Sequence, residues 1–393
     1  MELRDPPWDR HAGLDALVAA LGDGASRVVG GAVRDALLGI DAADLDLATV
    51  HPPDETMRRL QAAGIRVVPT GLAHGTVTAV LPSGPVEVTT LRRDVATDGR
   101  HATVAFTDDW RDDAARRDFT INALYAEPGS ATLHDYFGGL DDLAAGRVRF
   151  IGDPLRRIAE DHLRILRFFR FHARFGPADS HAIDADGLAA CETRANDLMA
   201  LSRERIAAEL LKLLVAANAV PVMTLMVERG ILRPVLPEIA DTAPLARLAA
   251  REAAAGVAPD AIRRLATLVA PDAAGAVAAR LKLSKLDRRR LEQASEPPTP
   301  EGPLALAYRV GVEGAVDRLL LHGGDPAPVL GWTPPRLPIG GGALVARGLS
   351  RGPDVAATLT RIEARWIAEG FCDAVRVERI ADEEVAASLA ALR

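Results

Sequence analysis

The first 150 residues and the rest of the chain follow different hydrophobic patterns. In the first part, short apolar runs and apolar–polar alternation predict strands, because successive side chains of a strand point to opposite faces. These strands are expected at Val28–Val29, 44–48, 76–81 and 86–91. The turn residues 82–85 separate the last two strands and predict a hairpin, and a helix is predicted over 54–63. This part of the chain is therefore expected to mix strands and helices.

Beyond residue 153, apolar positions recur every three to four residues, which is the period of an amphipathic helix. Long helices are predicted over 154–175, 203–217 and 277–292. The proline-rich segment 296–303 predicts a linker or a sharp turn. The second part of the chain is therefore expected to be helical.

Composition excludes several classes of protein. Of the 393 residues, 48% are hydrophobic and 4% aromatic, so the cores must consist mostly of Ala, Leu and Val, which favours helices. The net charge of −7 argues against a uniformly basic surface but permits a local basic groove. Cys191 and Cys372 fit no disulfide framework or zinc spacing, which indicates a reducing compartment. Because the start resembles no signal peptide and no apolar run has the length of a bilayer, we expect a soluble cytoplasmic protein without membrane contacts.

Two glycines and two aspartates stand close together near the start of the chain. Gly30 and Gly31 follow an apolar run and precede a helix-like segment. Asp44 and Asp46 are two residues apart, so a strand would place both carboxylates on one face. Carboxylates beside a glycine turn at a helix start are a plausible site for Mg²⁺ and a triphosphate. An acidic, solvent-facing edge strand is the alternative interpretation.

A third carboxylate, that of Glu87, lies on a neighbouring predicted strand and alternates with apolar residues. Beside the two aspartates it would complete a two-metal site, in which the ions activate an attacking hydroxyl and neutralise a leaving pyrophosphate. An exposed glutamate paired with an arginine is the alternative.

The next stretch combines side chains that suit phosphate and sugar. Arg116 and Arg117 suit a polyphosphate, since guanidinium groups bind phosphate oxygens in two-pronged fashion. The amide of Asn122 suits a sugar hydroxyl. The alternative is a helix start that Asp118 caps.

Four residues recur at three- and four-residue spacing and would share one face of a helix: Arg157, Asp161, Arg164 and Phe168. Asp161 accepts hydrogen bonds and Arg164 donates them, so this pair can imitate the edge of a nucleobase and select bases without an RNA template. A salt-bridged amphipathic helix is the alternative.

Five motifs, in this order and at these separations, resemble the class II tRNA nucleotidyltransferases, which comprise the CCA-adding enzymes and their bacterial poly(A) polymerase relatives. They read GGAVRDALLG…DLD, EVTTLRRD, RRDFTINAL, DYFGGLDDL and EDHLRILRFFRF. The similarity covers about residues 26–215, and residues 337–370 resemble the usual ending of the family more loosely. Any one motif would be weak, whereas five in order indicate the family.

The resemblance implies roles for the candidate residues. The catalytic metal ligands, with Mg²⁺ as the ion, would be Asp44, Asp46 and Glu87. The nucleotide-binding residues, the first three for the triphosphate, would be Gly30, Gly31, Arg34, Arg116, Arg117, Asp118, Asn122, Arg157, Asp161, Arg164 and Arg167. Within this set, Asp161 and Arg164 would hydrogen-bond to C or A, and Arg157 and Arg167 would support them. Residues 92–112 would be the flexible loop that the family uses when it changes from C to A addition.

The implied fold is α+β, with a small mixed β-sheet nucleotidyltransferase head followed by an elongated all-helical neck, body and tail. The expected boundaries are 1–140 for the head, 141–215 for the neck, 216–295 for the body and 296–393 for the tail. The implied activity is the template-independent addition of CMP and AMP, from CTP and ATP, to the 3′ end of tRNA. The helical parts would bind the acceptor arm and elbow of the tRNA, with candidates at Arg203, Arg205 and Lys212. No DNA partner is expected.

Other activities remain open at this point. A poly(A) polymerase, or a specialist that adds only CC or only A, shares most of these motifs. A non-catalytic RNA-binding relative is a third interpretation, which the intact carboxylates disfavour. A Rossmann dehydrogenase is disfavoured because Gly30-Gly31 lacks the G-x-G-x-x-G spacing. Residues 340–343 read Gly-Gly-Gly-Ala where the family often carries Gly-Lys-Asp-Leu, so the RNA contacts of the tail do not follow from the resemblance.

Overall fold

The computed structural model describes residues 3, 6–40, 44–98, 101–177, 182–350 and 352–391, without the side chains of 94–98 and 101–104. The chain forms two compact units, unit 1 (Met1–Thr242) and unit 2 (Ala243–Arg393). Unit 1 contains a mixed sheet followed by helices, and unit 2 is helical. The predicted fold class is confirmed, whereas the division into head, neck, body and tail stays a prediction.

Unit 1 is built on a seven-stranded mixed sheet beside a two-stranded hairpin. The strands are β1 (Ser26–Val29), β2 (Asp46–Thr49), β3 (Arg66–Gly71), β4 (Thr76–Leu81), β5 (Gly84–Thr90), β6 (Arg92–Asp98), β7 (His101–Phe106), β8 (Leu124–Ala126) and β9 (Leu133–Asp135). The large sheet has the order β3-β4-β5-β2-β1-β8-β9, and β6 pairs with β7. The neighbours β2 and β5 run parallel, so the aspartate strand lies directly beside the strand of Glu87, as predicted.

The helices of unit 1 surround this sheet and continue beyond it. They are α1 (Leu14–Leu21), α2 (Gly31–Leu37), α3 (Pro53–Ala62), α4 (Trp110–Ala115), α5 (Gly139–Ala144), α6 (Pro154–Glu160), α7 (Leu163–Phe175), α8 (Ala185–Arg194), α9 (Arg203–Leu214) and α10 (Ala219–Glu228). The predicted helix 54–63 corresponds to α3 within one residue at each end.

The prediction of one continuous helix over 154–175 is wrong. The chain leaves helical geometry at Asp161, whose φ and ψ are −153° and 107°, and α7 starts at Leu163. Asp161 Oδ1 accepts a hydrogen bond from the backbone N–H of Leu163 at 3.1 Å. A short polar side chain that binds a nearby backbone N–H competes with the helical hydrogen bond, and apolar periodicity does not report this competition.

The stretch 92–112, expected as a flexible loop, contains regular structure. It forms the antiparallel pair β6–β7 and the start of α4. Asp109 caps α4, because its Oδ1 accepts a hydrogen bond from the N–H of Arg111 at 2.7 Å. Along the chain, the hairpin therefore connects β5 of the main sheet to α4.

Unit 2 consists of helices around two apolar clusters, one containing Trp366 and one containing Leu319. The helices are α11 (Ala243–Ala254), α12 (Ala261–Leu268), α13 (Ala274–Arg280), α14 (Lys285–Ala294), α15 (Pro303–His322), α16 (Gly341–Ala346), α17 (Pro353–Ala368) and α18 (Ala374–Ala391). The helix predicted over 277–292 is divided between α13 and α14, since Lys282 has a φ of 51°. No helix in the described part of the chain is long and apolar enough to cross a membrane.

Candidate active site

The predicted acidic strand carries its carboxylates outward. Leu45 and Leu47 are buried, whereas Asp44 and Asp46 are exposed, so burial alternates along the chain as expected. Asp44 precedes β2, which starts at Asp46. Glu87 on β5 is exposed and is the register partner of Asp46 in the parallel pair. The sheet therefore brings the predicted third carboxylate beside the second.

The charges of this acidic edge act on Asp46. Although Asp46 reaches the surface, partial shielding from water by the neighbouring chain and the negative charge of Glu87 raise its pKa. Arg117 opposes this rise in the pKa, and Asp44 adds to it. A carboxylate whose ionised form is disfavoured by like charges is stabilised by a nearby cation. Among the described side chains, no three His, Cys, Asp or Glu residues meet the geometry of a metal site. The assignment of these carboxylates as metal ligands stays a prediction.

A cleft of about 460 Å³ opens in unit 1. It is lined by Gly30, Gly31, Arg34, Arg116, Arg117, Asp118, Asn122, Asp161, Arg164, Arg167 and Phe171. All but Phe171 belong to the nucleotide-binding set predicted from the sequence. Five arginines face two carboxylates in this lining, and such a cationic cleft has the size of a small-ligand site.

The glycine pair allows the backbone to approach the cleft closely. Gly30 has a φ of 70° and a ψ of −123°, a conformation that L side chains rarely adopt. A Cβ atom at this position would lie 3.1 Å from Nη1 of Arg117. The N–H of Gly30 donates a hydrogen bond to the carbonyl of Leu124 at 3.0 Å, which attaches the turn to β8. Glycine is therefore required here both by the backbone and by the neighbouring guanidinium group.

Arg34 on α2 is held in the wall of the cleft. Its Nε donates to Asp35 Oδ1 at 2.8 Å, and its Nη1 donates to Oδ1 of Asn122. The guanidinium group lies over the rings of Phe175 and Phe171, at 4.3 Å and 5.3 Å from their centroids. Burial lowers the pKa of Arg34, although Asp35 opposes the effect. The cation is thus fixed in position before any ligand arrives.

Arg116 and Arg117 share one buried carboxylate. Asp113 Oδ1 accepts from Arg116 Nε at 2.8 Å, and Asp113 Oδ2 accepts from Arg117 Nη2 at 3.2 Å and from the hydroxyl of Tyr125 at 2.7 Å. Burial would raise the pKa of Asp113, but the two arginines and Tyr125 hold it at about 2. The two guanidinium groups therefore stay side by side because an ionised carboxylate lies between them.

Asp118 is buried, and both of its oxygens bind other protein groups. Oδ2 accepts from Arg167 Nε at 2.7 Å, and Oδ1 accepts from Asn122 Nδ2 at 2.9 Å and from the N–H of Phe119 at 2.8 Å. Burial disfavours its ionised form, yet Arg167 and these hydrogen bonds lower the pKa of Asp118. Since Asn122 also accepts from Arg34, one hydrogen-bonded chain joins Arg167 to Arg34 across the base of the cleft.

The predicted base-reading pair lies at the junction of α6 and α7. Arg164 Nη1 donates to Glu160 Oε2 at 2.7 Å and to the carbonyl of Arg157 at 2.8 Å. Asp161 Oδ2 accepts from Arg205 Nη2 on α9 at 2.7 Å. Because the helix breaks at Asp161, this residue lies between the two helices and Arg164 lies in the first turn of α7, so the pair does not share one helical face.

Arg157 lies outside the lining of the cleft and supports it from behind. It is buried, and its Nη2 donates to the carbonyls of Arg116 and Arg117, the latter at 2.6 Å. Its guanidinium group thereby supports the backbone of the two cleft arginines, and it also pairs with Glu160.

Sequence reasoning missed two groups that shape the cleft, Phe171 and Asp113. Phe171 lies against Arg34, Arg167 and Arg170, with centroid distances of 5.3, 5.1 and 4.2 Å. Its position seven residues after Arg164 on α7 was the available signal. Asp113 had no sequence signal beyond its spacing of three and four residues from the two arginines. The ion pair of Arg205 with Asp161 also had no local sequence signal, and the role of Arg205 as a tRNA contact stays a prediction.

Comparison with protein families places two segments of the chain. Residues 26–149 match the model of the "Poly A polymerase head domain", and residues 182–242 match the "Probable RNA and SrmB- binding site of polymerase A". The first match covers the sheet, the acidic edge and the cleft residues that precede residue 150.

Comparison with known proteins extends over most of the chain. The CCA tRNA nucleotidyltransferase 1, mitochondrial, of Mus musculus is 35% identical over 367 residues, which cover 88% of this chain and 83% of the mouse protein. The CCA-adding enzyme of Streptococcus gordonii is 42% identical over 190 residues, covering 48% of this chain and 45% of that enzyme. The crystal structure of the Bacillus stearothermophilus CCA-adding enzyme in complex with CTP superimposes with a TM-score of 0.69 at 25% identity, over 93% and 94% of the two chains. The chain belongs to the family of CCA-adding tRNA nucleotidyltransferases and is a nucleotidyltransferase.

Proposed function

We propose that this protein adds CMP and AMP, from CTP and ATP, to the 3′ end of tRNA without a template and so builds or repairs the CCA terminus. The observation that carries the proposal is the cationic cleft directly beside the acidic sheet edge, with Arg117 in the cleft close enough to lower the pKa of Asp46. A nucleoside triphosphate needs cations along its phosphates, and transfer of its α-phosphoryl group needs carboxylate-held metal at the reacting centre.

The donor chemistry of the acidic edge, three carboxylates, suits a divalent metal. Members of this family generally use divalent metal ions, and we propose Mg²⁺, bound by Asp44, Asp46 and Glu87. Carboxylate oxygens are the ligands that Mg²⁺ prefers. Partial desolvation and the negative charges of Glu87 and Asp44 raise the pKa of Asp46, so a bound cation would stabilise its ionised form. When bound, the ion would lower the pKa of the attacking hydroxyl and neutralise the leaving pyrophosphate.

The cleft residues would hold the triphosphate and orient it. Arg34, Arg116 and Arg117 present guanidinium groups that are already fixed by buried partners, so little conformational entropy is lost on binding. Gly30 and Gly31 leave room for phosphate oxygens near the backbone. The 3′-hydroxyl of the tRNA attacks the α-phosphorus, pyrophosphate leaves, and these cations balance the charge that builds up on the phosphates.

Asp161 and Arg164 would choose the base. An acceptor and a donor in fixed positions can match the Watson–Crick edges of C and A, which both present an amino donor beside a ring-nitrogen acceptor. G and U present the reverse order, a carbonyl acceptor beside an N–H donor at N1 of G or N3 of U. Glu160 fixes Arg164, and Arg205 fixes Asp161, so the pair is rigid enough to discriminate. Asp118, Asn122, Arg157 and Arg167 complete the proposed nucleotide site as the residues that position its walls.

The proposed partner is tRNA, bound through its acceptor arm and elbow by the helices that follow the sheet. The proposed compartment is the cytoplasm, although the mouse relative is named a mitochondrial protein. Tagged protein in fractionated source cells would test the compartment, and recovery with organelle membranes would contradict it.

Product length tests the proposed activity. Purified protein with Mg²⁺ is incubated with tRNA transcripts that end before CCA, after C or after CC, together with CTP, ATP or both. We expect extension to a complete CCA on all three and no further. Extension that stops at CC, or that adds only the last A, would identify a specialist. A long A ladder on unrelated RNA would identify a poly(A) polymerase, and no extension would favour a non-catalytic relative.

Removing the base-reading groups should change selectivity. In Asp161→Ala and Arg164→Ala, the preference for CTP and ATP over GTP and UTP should fall by about 10- to 100-fold, because a hydrogen bond to a charged group contributes about 1.5–3 kcal/mol. Initial rates with each nucleotide measure this preference. Arg156→Ala is the matched control, since that side chain is 82% exposed on α6. Unchanged selectivity in both variants would contradict the assignment.

A further inference from the structure

One buried carboxylate joins the β6–β7 hairpin to the cleft. Asp113 on α4 is 1% exposed and does not belong to the lining of the cleft. It accepts hydrogen bonds from the side chains of Arg116, Arg117 and Tyr125, as described above. Its fourth donor is the backbone N–H of Arg92, at 3.3 Å from Oδ1. Arg92 is the first residue of β6, so the same carboxylate binds the base of the hairpin and both arginines.

The base of the hairpin has several further attachments. The N–H of Thr107 donates to the carbonyl of Leu91 at 3.0 Å, which closes the hairpin where it leaves the sheet. The side chain of Arg92 donates to the carbonyl of His74. A Cβ atom on Gly75 would lie 2.8 Å from the ring of Phe106, so the last residue of β7 packs closely on the start of β4. The base of the hairpin is thus packed, and a displacement there must act on Asp113.

We propose that Asp113 is a positioning residue through which the base of the β6–β7 hairpin sets the placement of Arg116 and Arg117, and thereby the affinity for the triphosphate. The inference rests on the proposed function, because it assigns these arginines to the nucleotide. The coupling also acts in the opposite direction. A triphosphate that draws the two guanidinium groups toward the cleft also displaces Asp113 and the N–H of Arg92 that it binds. Binding at the cleft is therefore transmitted to the hairpin.

The charge of Asp113 makes this link specific. Two adjacent guanidinium groups repel each other, and one ionised carboxylate between them compensates that repulsion in a buried place. Its pKa of about 2 keeps the carboxylate ionised throughout the physiological range. An amide of the same shape would keep one acceptor oxygen but would lose the charge and would present an N–H₂ group to a cationic neighbour.

The test compares Asp113→Asn with Asp141→Asn, a control at an exposed aspartate on α5. Calorimetry with CTP and Mg²⁺ gives the affinity, initial rates give KM and kcat, and hydrogen exchange of peptides from 88–107 reports on the hairpin. For Asp113→Asn we expect a Kd and a KM about 10- to 100-fold higher with a smaller change in kcat, because Arg116 and Arg117 lose the charge that holds them in place. In the wild type, we expect CTP to change the hydrogen exchange of the hairpin. In Asp113→Asn this change should be absent even at saturating CTP, whereas the control variant should retain it.

Two results would overturn the inference: an unchanged KM in Asp113→Asn, or a hairpin response to CTP equal to that of the wild type. If Asp113→Asn does not fold, Tyr125→Phe tests the same link, since the Tyr125 hydroxyl donates to Asp113 and accepts from Arg117 at 3.2 Å. Its expected KM increase is about tenfold, and none would equally count against the link. Wild-type protein that binds CTP but adds no CCA would contradict the proposed function alone, because affinity and exchange still report on Asp113.

Discussion

We expect Asp46→Asn to abolish nucleotide addition and, without metal or nucleotide, to make the protein more stable at neutral pH. The loss of activity should be at least about a thousandfold, because the metal ion that this carboxylate would hold contributes several kcal/mol of charge stabilisation to phosphoryl transfer. The gain in stability has a separate cause. Asp46 lies beside Glu87 in register and close to Asp44, and its pKa in the folded protein is raised.

The sign of the stability change follows from proton linkage. Because the folded state of the protein holds the Asp46 proton more tightly than the unfolded chain does, its stability falls as the pH rises through the raised pKa. Below the ordinary pKa of an aspartate, both states are protonated and the charge has no effect. The melting temperatures of wild type and Asp46→Asn should therefore converge in acid, and the variant should melt higher near neutrality.

Thermal melts with and without Mg²⁺ separate the two effects. Mg²⁺ should raise the melting temperature of the wild type, since a ligand that binds only the folded state stabilises it, and should affect Asp46→Asn much less. Asp23→Asn, an exposed aspartate of the same unit, is the control and should behave as the wild type. Retained activity in Asp46→Asn would remove the residue from the site. A variant that is less stable at neutral pH would instead assign Asp46 a structural role.

The sequence was sufficient for the elements whose signal is local. Alternation of Leu45 and Leu47 with two aspartates predicted the acidic strand, and the structure has the same alternation of burial. The pairing of that strand with Glu87 required the assumption of a neighbouring strand, which the parallel β2–β5 pair satisfies. Ten predicted residues line one cleft because three of the five motifs, spaced along about 140 residues, converge there.

The errors have one physical origin, which is competition from polar side chains and from tertiary partners. Periodicity predicted a continuous helix through Asp161, but its carboxylate binds a backbone N–H and ends α6. The partner of Arg205 is Asp161, 44 residues away, a pairing that periodicity does not report. Asp113 and Phe171 are identified by their contacts in space, which no local pattern contains.

Asp118→Ala should destabilise unit 1 by about 3 kcal/mol and should disorder the cleft even where the protein remains folded. Removing one partner of a buried ion pair leaves the other charge uncompensated and costs about 3–5 kcal/mol, and the lower end applies because the Arg167 side chain is 30% exposed. The variant also leaves Asn122 Nδ2 without its acceptor, and Asn122 is the residue that accepts from Arg34. Both ends of the hydrogen-bonded chain across the cleft are thereby loosened.

Native-state hydrogen exchange of peptides from unit 1 measures this loss without contributions from unit 2. Asp141→Ala, an exposed carboxylate on α5, is the control and should change the free energy of unfolding by less than about 0.5 kcal/mol. At permissive temperature, Asp118→Ala should bind CTP more weakly because Arg167 and Arg34 are no longer held. Wild-type stability together with weakened CTP binding would instead mean that Asp118 contacts the nucleotide directly.

The dependence on pH distinguishes the charge of Asp118 from its hydrogen bonds. Its pKa is lowered in the folded protein, so its stabilising contribution is present above the ordinary pKa of an aspartate and is lost as the pH falls through the lowered value. Asp118→Asn retains an oxygen for Phe119 and removes the charge that Arg167 requires. The stability gap between wild type and Asp118→Asn should therefore be constant near neutrality and should narrow below about pH 4. A gap that persists in strong acid would show that hydrogen-bond geometry, and not the ion pair with Arg167, holds the base of the cleft together.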